Sequence, residues 1–454
     1  MIVDREIFAQ EISAADIVTL LNRHSGENAH KKMLYDYYIG RHSAILDRQT
    51  RPGTPNNKTV NNYCKYIVDM CAGFFFGAPL AYKAANGNSI DALTECYNKQ
   101  GINNIDIKLF KAAGIFGSAY ELVYANAQSD PVSVALPPFN TFVVYDDTAE
   151  HKPVFGLYYM AKRDLNGTVT GYLVDVYTDR EIIHYASVGS SYLDLKETGR
   201  EAHYFDAVPL VEYFNNDERQ GDFEQIIHNV DAYNKLQSDR VNDKEQFVDA
   251  FLFLRSIEVD SDQARKLKIE KILMGMDEHA EAKYLSKLLN EADTEVLKKS
   301  LNDDIHKFSM VPDLSDEKFG GNLSGVALEY KLIAFENLIT NKEVFFFDGL
   351  RKRAQLYINF LSKQNRIRQI DIHDIEIISS RNLPQDDEKK AEMISKLRGI
   401  VSDPTLRAEL SFVTDEAGEL LRLKEQEAEA ERKAERETER LLSGRGYKKA
   451  FEDE

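Results

Sequence analysis

The stretch KFGGNLSGVALEYKL (Lys318 to Leu332) sets Gly320 and Gly325 at the spacing of a phosphate-cradling loop, ahead of an apolar-periodic run. Such a loop needs G-x-x-x-x-G-K-[ST], because the lysine neutralises terminal phosphates and the hydroxyl holds magnesium. Val326 stands where that lysine must be. The stretch therefore reads as a flexible loop whose Ser324 caps a helix start. It keeps only the weak attraction for anions that an exposed helix N-terminus has. FVVYDD (Phe142 to Asp147) resembles a strand ending in a magnesium-organising carboxylate; without the partner loop it reads as a strand ending in a turn. Asp303-Asp304 and Asp386-Asp387 read as solvated or capping acids. The 10 histidines are scattered singly, with no H-x-x-x-H or H-E-x-x-H spacing, and His306 reads as part of a polar helix face. SVGSSYLD reads as a hairpin turn rather than a nucleophile elbow. No metal, cofactor or catalytic site is expected. Lys298, Lys299 and Lys307 punctuate one helix just before the glycine-rich loop, as a solvated face or as a local cationic contact for an acidic polymer.

The elements that must position these residues are soluble in character. The chain has 454 residues, 43% hydrophobic and 29% charged, with no Trp. That length implies about two to four structural units. A net charge of −18 excludes tight nucleic-acid binding through a global basic field. Cys64, Cys71 and Cys96 lie in apolar surroundings without a C-x-x-C pair, so they read as buried free thiols. Met70 to Tyr82 is the longest nearly apolar run, and it is too short to span a bilayer. With no signal-peptide layout at the N-terminus, the protein reads as cytosolic.

Residues 1–50 read as helical with Ser13 as an N-cap, followed by helices at Thr59–Gly77 and Ile105–Phe116. From Ser118 to about residue 216, short β-branched and aromatic runs alternate with Asp-Pro, Pro-Pro, Asn-Gly and Asn-Asn turns, giving a mostly antiparallel β-rich block. A helix runs from Asp222, as its N-cap, to about Leu254. Its middle, Ser238 to Gln246, is so polar that the pattern places it against solvent, a channel or a polar subunit contact rather than in a core. KILMGMDEHAEAKYLSK reads as two short strands around a turn. A helix over Glu291–Ser309, stopped by Pro312, precedes a very long helix from Ser324 to about Lys363. A strand in DIEIISSRNLP and a helical tail, rich in Glu, Arg, Lys and Ala from Glu416, complete an α+β chain without solenoid repeats.

NNKTVNNYCKYIVDMCAGFFFGAPL (Asn56 to Leu80), FNTFVVYDD (Phe139 to Asp147), VPLVEYFNNDERQGDFEQIIHNVDAYNKLQSD (Val208 to Asp239) and FSMVPDLSDEKFGGNLSGVALEYKL (Phe308 to Leu332) occur in that order. Together they resemble the portal proteins of long-tailed double-stranded DNA phages and prophages of Gram-positive bacteria, over residues 55–360. The resemblance implies a portal-type subunit, not an enzyme and without cofactors. Its wing would be 1–221, its stem helices 222–257 and 291–312, and its clip 258–290. The tunnel loop would be 313–323, the long wing helix and strand 324–384, and the helical crown and charged tail 385–454.

It also implies a ring of about 12 to 13 subunits at one capsid vertex. Double-stranded DNA would pass weakly through this ring during packaging and ejection. Implied partners are a large terminase ATPase, a head-completion or adaptor protein, and major capsid and scaffolding proteins, with no membrane. Location follows as the virion, and the host cytoplasm during assembly. Channel contacts would come from Lys318, Phe319, Gly320, Gly321, Asn322 and Ser324 in the loop and from Lys298, Lys299 and Lys307 in the stem. The clip would meet partners through Lys271, Met274, Asp277, Glu278 and Tyr284. Two other functions fit the residues alone: a helical oligomeric adaptor or scaffold without a DNA channel, and a nucleotide-dependent enzyme built on the glycine-rich loop.

Overall fold

Ser13 starts the first helix through a reciprocal cap, its hydroxyl accepting from the Asp16 amide while the Asp16 carboxylate accepts from the Ser13 amide. In the computed structural model, residues 1–4, 12–52, 54–85, 88–189, 191–248, 251–255, 262, 281–285, 291–314, 325–382, 387–408 and 416–450 are described. The chain divides into two compact units, Met1–Gly321 with Glu329–Asn382, and Asn322–Leu328 with Leu383–Glu454.

The first unit begins with α1 (Ala14–Tyr38), α2 (Ser43–Leu46), α3 (Tyr63–Phe75), α4 (Asp91–Gln100) and α5 (Ile102–Phe116). A short strand β1 (Ala81–Ala84) lies between α3 and α4. The β-rich block follows as β2 (Ser118–Ala125), β3 (Pro131–Leu136), β4 (Thr141–Tyr145), β5 (Pro153–Arg163), β6 (Val169–Tyr177), β7 (Glu181–Val188), β8 (Lys196–Ala202) and β9 (Leu210–Phe214). Strands β4 to β8 form a five-stranded sheet in sequence order, and β3-β2-β9 a three-stranded one; every pair is antiparallel. The expectation from short connections holds.

Both faces of β4 are covered, which explains its uninterrupted apolar run. Phe142 and Val144 meet Ile17, Leu20 and Leu21 of α1. Val143 and Tyr145 meet Tyr120, Leu122 and Leu210 of the smaller sheet. Beyond it, FVVYDD ends as a turn: Asp146 Oδ1 accepts from the Thr148 hydroxyl at 2.6 Å and the Lys152 amide at 2.9 Å.

The later helices are α6 (Ile227–Val248), α7 (Glu291–Ser309) and the 39-residue α8 (Gly325–Lys363). From Glu329 onward α8 belongs to the first unit. Strands β10 (Phe251–Arg255) and β11 (Glu281–Leu285) pair with each other, and β12 (Ile375–Ile378) pairs with β1. The second unit holds α9 (Asp387–Leu397), α10 (Asp403–Ala408) and α11 (Glu416–Ala450). Close-spaced pairs such as Glu429–Lys433 at 3.2 Å line α11, as its charge pattern suggests.

Four expectations need correction. The helix expected from Thr59 begins at Tyr63, with Asn62 as its cap and the preceding residues extended. The helix expected to reach Leu254 stops at Val248, because Phe251–Arg255 is a strand. A short continuous apolar run fits either state, and pairing with β11 decides it. Of the two strands expected within 271–287, only β11 falls among the described residues. Asp222 is not a helix cap: a 3-10 turn, Glu224–Ile226, leads into α6, and the Asp222 carboxylate turns inward instead.

Candidate functional site

Helices α6 and α7 run antiparallel. Arg240 of α6 meets Glu295 near the start of α7 at 2.6 Å, while Gln225, just before α6, donates to the Phe308 carbonyl at its end at 3.0 Å. Those contacts are 15 residues apart on one side and 13 on the other, about 20 Å of helix in each case. The pair is joined through the β10–β11 sheet, so two long helices carry a small sheet at one end.

While Val241, Lys244 and Glu245 are exposed, one face of the polar middle of α6 is buried: Ser238, like Asn234 a turn earlier, is fully buried and Asn242 nearly so. Their side chains face the extended segment before α3. The Asn61 amide donates to Asn234 Oδ1 at 2.7 Å, the Thr59 amide to Ser238 Oγ at 3.0 Å, and the Asn57 amide to Asn242 Oδ1 at 2.7 Å. Two residues of extended chain rise about 6.6 Å and four residues of helix about 6.0 Å, so alternate amides keep step with side chains one turn apart. The expected exclusion from a core fails at Ser238 and Asn242, whose burial is matched by hydrogen bonds, and holds at Val241, Lys244 and Glu245 on the other face. The signal was present as Asn57, Thr59, Asn61 at period two and Asn234, Ser238, Asn242 at period four.

Asp222 anchors the approach to α6. Its amide donates to the Gly114 carbonyl at 2.7 Å, and Asn215 Nδ2 donates to Oδ1 at 2.9 Å. Lys342 Nζ of α8 lies 2.6 Å from both carboxylate oxygens, and both side chains are buried. A Cβ on Gly114 would collide with that carboxylate, so glycine is required there. A second buried charge on α8, Arg353, pairs with Asp106 of α5 and Glu121 of β2 and donates to the Tyr82 hydroxyl at 2.7 Å. Burial pushes the Glu121 carboxyl up, against the pull of Arg353.

The chain beyond α7 is also held. His306 Nδ1 donates to the Val311 carbonyl at 2.9 Å, and its Nε2 lies 3.7 Å from Asp313. Asn302 Nδ2 donates to Asp313 at 2.9 Å. From α3, the Tyr63 hydroxyl donates to Asn302 Oδ1 at 2.7 Å and the Tyr66 hydroxyl to the Pro312 carbonyl at 3.0 Å. Both tyrosine rings meet His306 edge-on, at 5.8 and 5.9 Å between centroids. His306 is thus an inward-facing contact, not part of a solvated face. Its place beside Ile305 and Ser309, both buried, is the signal that was missed.

Of the residues expected to meet DNA, Lys299 and Lys307 are exposed on α7, with Asp303 between them. Lys298 lies about 180° around the helix from Lys307 and sits 3.5 Å from Glu295. The three lysines therefore do not share one stripe. Lys307 Nζ lies 5.7 Å from the Phe308 ring centroid. Lys318, Phe319, Gly320, Gly321, Asn322 and Ser324 lie outside the described residues, as do Lys271, Met274, Asp277 and Glu278. Tyr284 is in β11, opposite Leu252 of β10.

Among the described residues no group of three His, Cys, Asp or Glu could hold a metal ion, and no helix is long and apolar enough to cross a membrane. The three cysteines are free and buried. Fixed buried charges and a two-helix arm tipped by a small sheet define a structural subunit of mixed α+β fold, built to position helices. The chain belongs to the phage portal protein family described as SPP1 Gp6-like, matching it over residues 19–433. It is a phage portal protein, a structural protein and not an enzyme.

The portal protein of Bacillus phage SPP1 is 21% identical over 419 residues, 88% of this chain and 81% of that one. The portal protein of Clostridium phage phiCD119 is 25% identical over 401 residues, 83% and 86% of the two chains. A solved structure described as the neck of an empty GTA particle computed with C6 symmetry is similar over 82% of this chain and 98% of its own, at 14% identity and a TM-score of 0.46.

Proposed function

We propose that this portal protein assembles into a closed ring at one capsid vertex, with double-stranded DNA passing through its centre. A large terminase ATPase drives the DNA, and a head-completion or adaptor protein later binds the same ring. The observation that carries this reading is the antiparallel α6–α7 pair, joined at one end through the β10–β11 sheet and followed by the long α8. Two long helices suit a channel wall, and a small sheet at their far end suits a docking tip.

In this reading residues 1–221 are the wing, 222–257 and 291–312 the stem, 258–290 the clip, 313–323 the tunnel loop, 324–384 the long wing helix and strand, and 385–454 the crown. Lys299 and Lys307 touch the duplex lightly, and so do Lys318 to Asn322 and Ser324, while Lys298 on the far side of α7 does not share that contact. Lys271, Met274, Asp277, Glu278 and Tyr284 serve the clip's partners. A net charge of −18 suits a conduit, because each phosphate neutralised adds affinity that opposes sliding. A ring of about 12 to 13 copies joined by one repeated head-to-tail contact satisfies closure.

Negative-stain microscopy with native mass measurement tests the reading. Rings with a central hole wide enough for a duplex are expected. A stable monomer under assembly-permissive conditions, or a closed particle without a hole, refutes it.

A further inference from the structure

Helix α3 touches both flanks of the chain segment that joins α7 to α8. On the entry side, Tyr63 and Tyr66 reach Asn302, His306 and the Pro312 carbonyl, as described above. On the exit side, the Phe74 ring packs on Phe335 of α8 at 4.6 Å between centroids. Tyr66 and Phe74 are eight residues apart, about 12 Å along one helix.

Helix α3 is itself fixed at three points. Asn57, Thr59 and Asn61 tie the segment before it to α6. In its middle, Asp69 receives Lys111 of α5 at 2.7 Å and the Tyr38 hydroxyl of α1 at 3.1 Å. At its end, the Asn382 amide donates to the Phe74 carbonyl and the Gly77 amide to the Ser380 carbonyl, each at 2.9 Å. A helix held in this way is referenced to α6 and to the wing together, and whatever it grips does not follow α7 alone.

We propose that α3 is the common anchor of the channel segment: Tyr63 and Tyr66 clamp its entry at Val311–Asp313, and Phe74 seats its exit helix at Phe335. This rests on the portal reading above and makes the three aromatics positioning residues for DNA passage. A loosened entry lets the chain at Val311–Asp313 shift against α3 and α7, and DNA passage suffers while the ring still forms.

The test replaces Tyr63→Phe and Tyr66→Phe together, which removes two hydroxyl donors and keeps both rings against His306. Tyr38→Phe is the control, since it removes a hydroxyl that ties α3 to α1 through Asp69 and forms no hydrogen bond with Val311–Asp313. Hydrogen exchange read by mass spectrometry on peptides covering Phe308–Leu314 is expected to be about tenfold faster in the double variant and unchanged in the control. Rings should form with the wild-type subunit number, and DNA per particle should fall several-fold in the double variant alone.

Exchange within twofold of wild type overturns the clamp. Faster exchange with normal DNA content, or an equal loss in the control, overturns the positioning role. If the wild-type chain forms no DNA-passing ring, the portal reading and the positioning role fall together, while the exchange comparison still reports on the clamp. Phe74→Leu, which keeps an apolar side chain without the ring contact, is expected to lower DNA content without altering exchange at Val311.

Discussion

Replacing Lys342 by methionine isolates the joint between α8 and the approach to α6. Methionine conserves most of the apolar stem and deletes the ammonium that sits 2.6 Å from both oxygens of Asp222. The side chains are 4% and 1% exposed, so water cannot replace the lost partner without opening the core. Asn215 Nδ2 is left as a side-chain donor to that carboxylate. Removing one member of such a pair costs about 3–5 kcal/mol, because a buried charge is left uncompensated. Loss of the contact between Lys342 Nζ and the Phe110 ring, 4.6 Å to the centroid, acts in the same direction. The unfolding equilibrium should therefore shift by about a hundred- to several-thousand-fold.

Adding Asp222→Asn removes the stranded charge and keeps an oxygen for Asn215. The double variant should recover at least about 2 kcal/mol of what Lys342→Met alone loses. The chain has no Trp, so urea unfolding is best followed by circular dichroism. A Lys342→Met variant that unfolds at the wild-type midpoint refutes the joint. A double variant no more stable than the sum of its singles refutes the coupling.

Ser238→Ala strands the Thr59 amide and should cost about 1–3 kcal/mol in urea unfolding, with faster amide exchange confined to residues 57–61. Arg353→Met leaves Asp106 and Glu121 buried without their cation, and a loss of about 3–5 kcal/mol is expected; Arg353→Lys should not rescue it, because one ammonium cannot replace a fork that also reaches Tyr82. His24 is held down to about 3, first by burial and then by the Lys31 ammonium 2.8 Å from its Nε2. Its folded-state pKa is depressed, so its contribution is full above pH 6.5 and is lost as pH falls toward 3, by at most about 1.4 kcal/mol per pH unit; His24→Gln should flatten that dependence in pH-resolved melts. Gly320→Ala with Gly321→Ala should lower DNA packaging and leave ring assembly intact, as counted by microscopy; normal packaging refutes a bending role for that loop.

Much of the secondary structure was legible because it rests on local rules. The Ser13 cap, the Glu291–Ser309 helix and the antiparallel meander follow from periodicity and turn chemistry. The family was legible from four ordered motifs. What escaped reading depends on partners distant in sequence. Ser238 and Asn242 look solvated until Thr59 and Asn57 are brought beside them, 179 and 185 residues away. Asp222 looks like a helix cap until Lys342 arrives from 120 residues downstream. His306 looks ordinary because its partners, Tyr63, Tyr66 and Asp313, belong to another helix and to the following turn. Polar groups that satisfy one another inside a core leave a sequence signature like that of solvated ones, and only pairing tells them apart.

That buried pairing also limits how the protein can move. Lys342 and Arg353 are eleven residues apart on α8, close to three full turns, so both lie on its inward stripe. Each meets carboxylates fixed on other elements: Asp222 before α6 for one, Asp106 and Glu121 in α5 and β2 for the other. Sliding α8 by a single turn, about 5.4 Å, would strand both cations and all three acids at once. Arg381 adds a third tie, to Glu336 at 2.9 Å and Glu343 at 2.7 Å. A helix locked in register this way cannot ratchet along its axis as DNA advances. Whatever displacement α7 undergoes, α8 from Glu336 to Arg353 keeps its register with α5, β2 and the approach to α6.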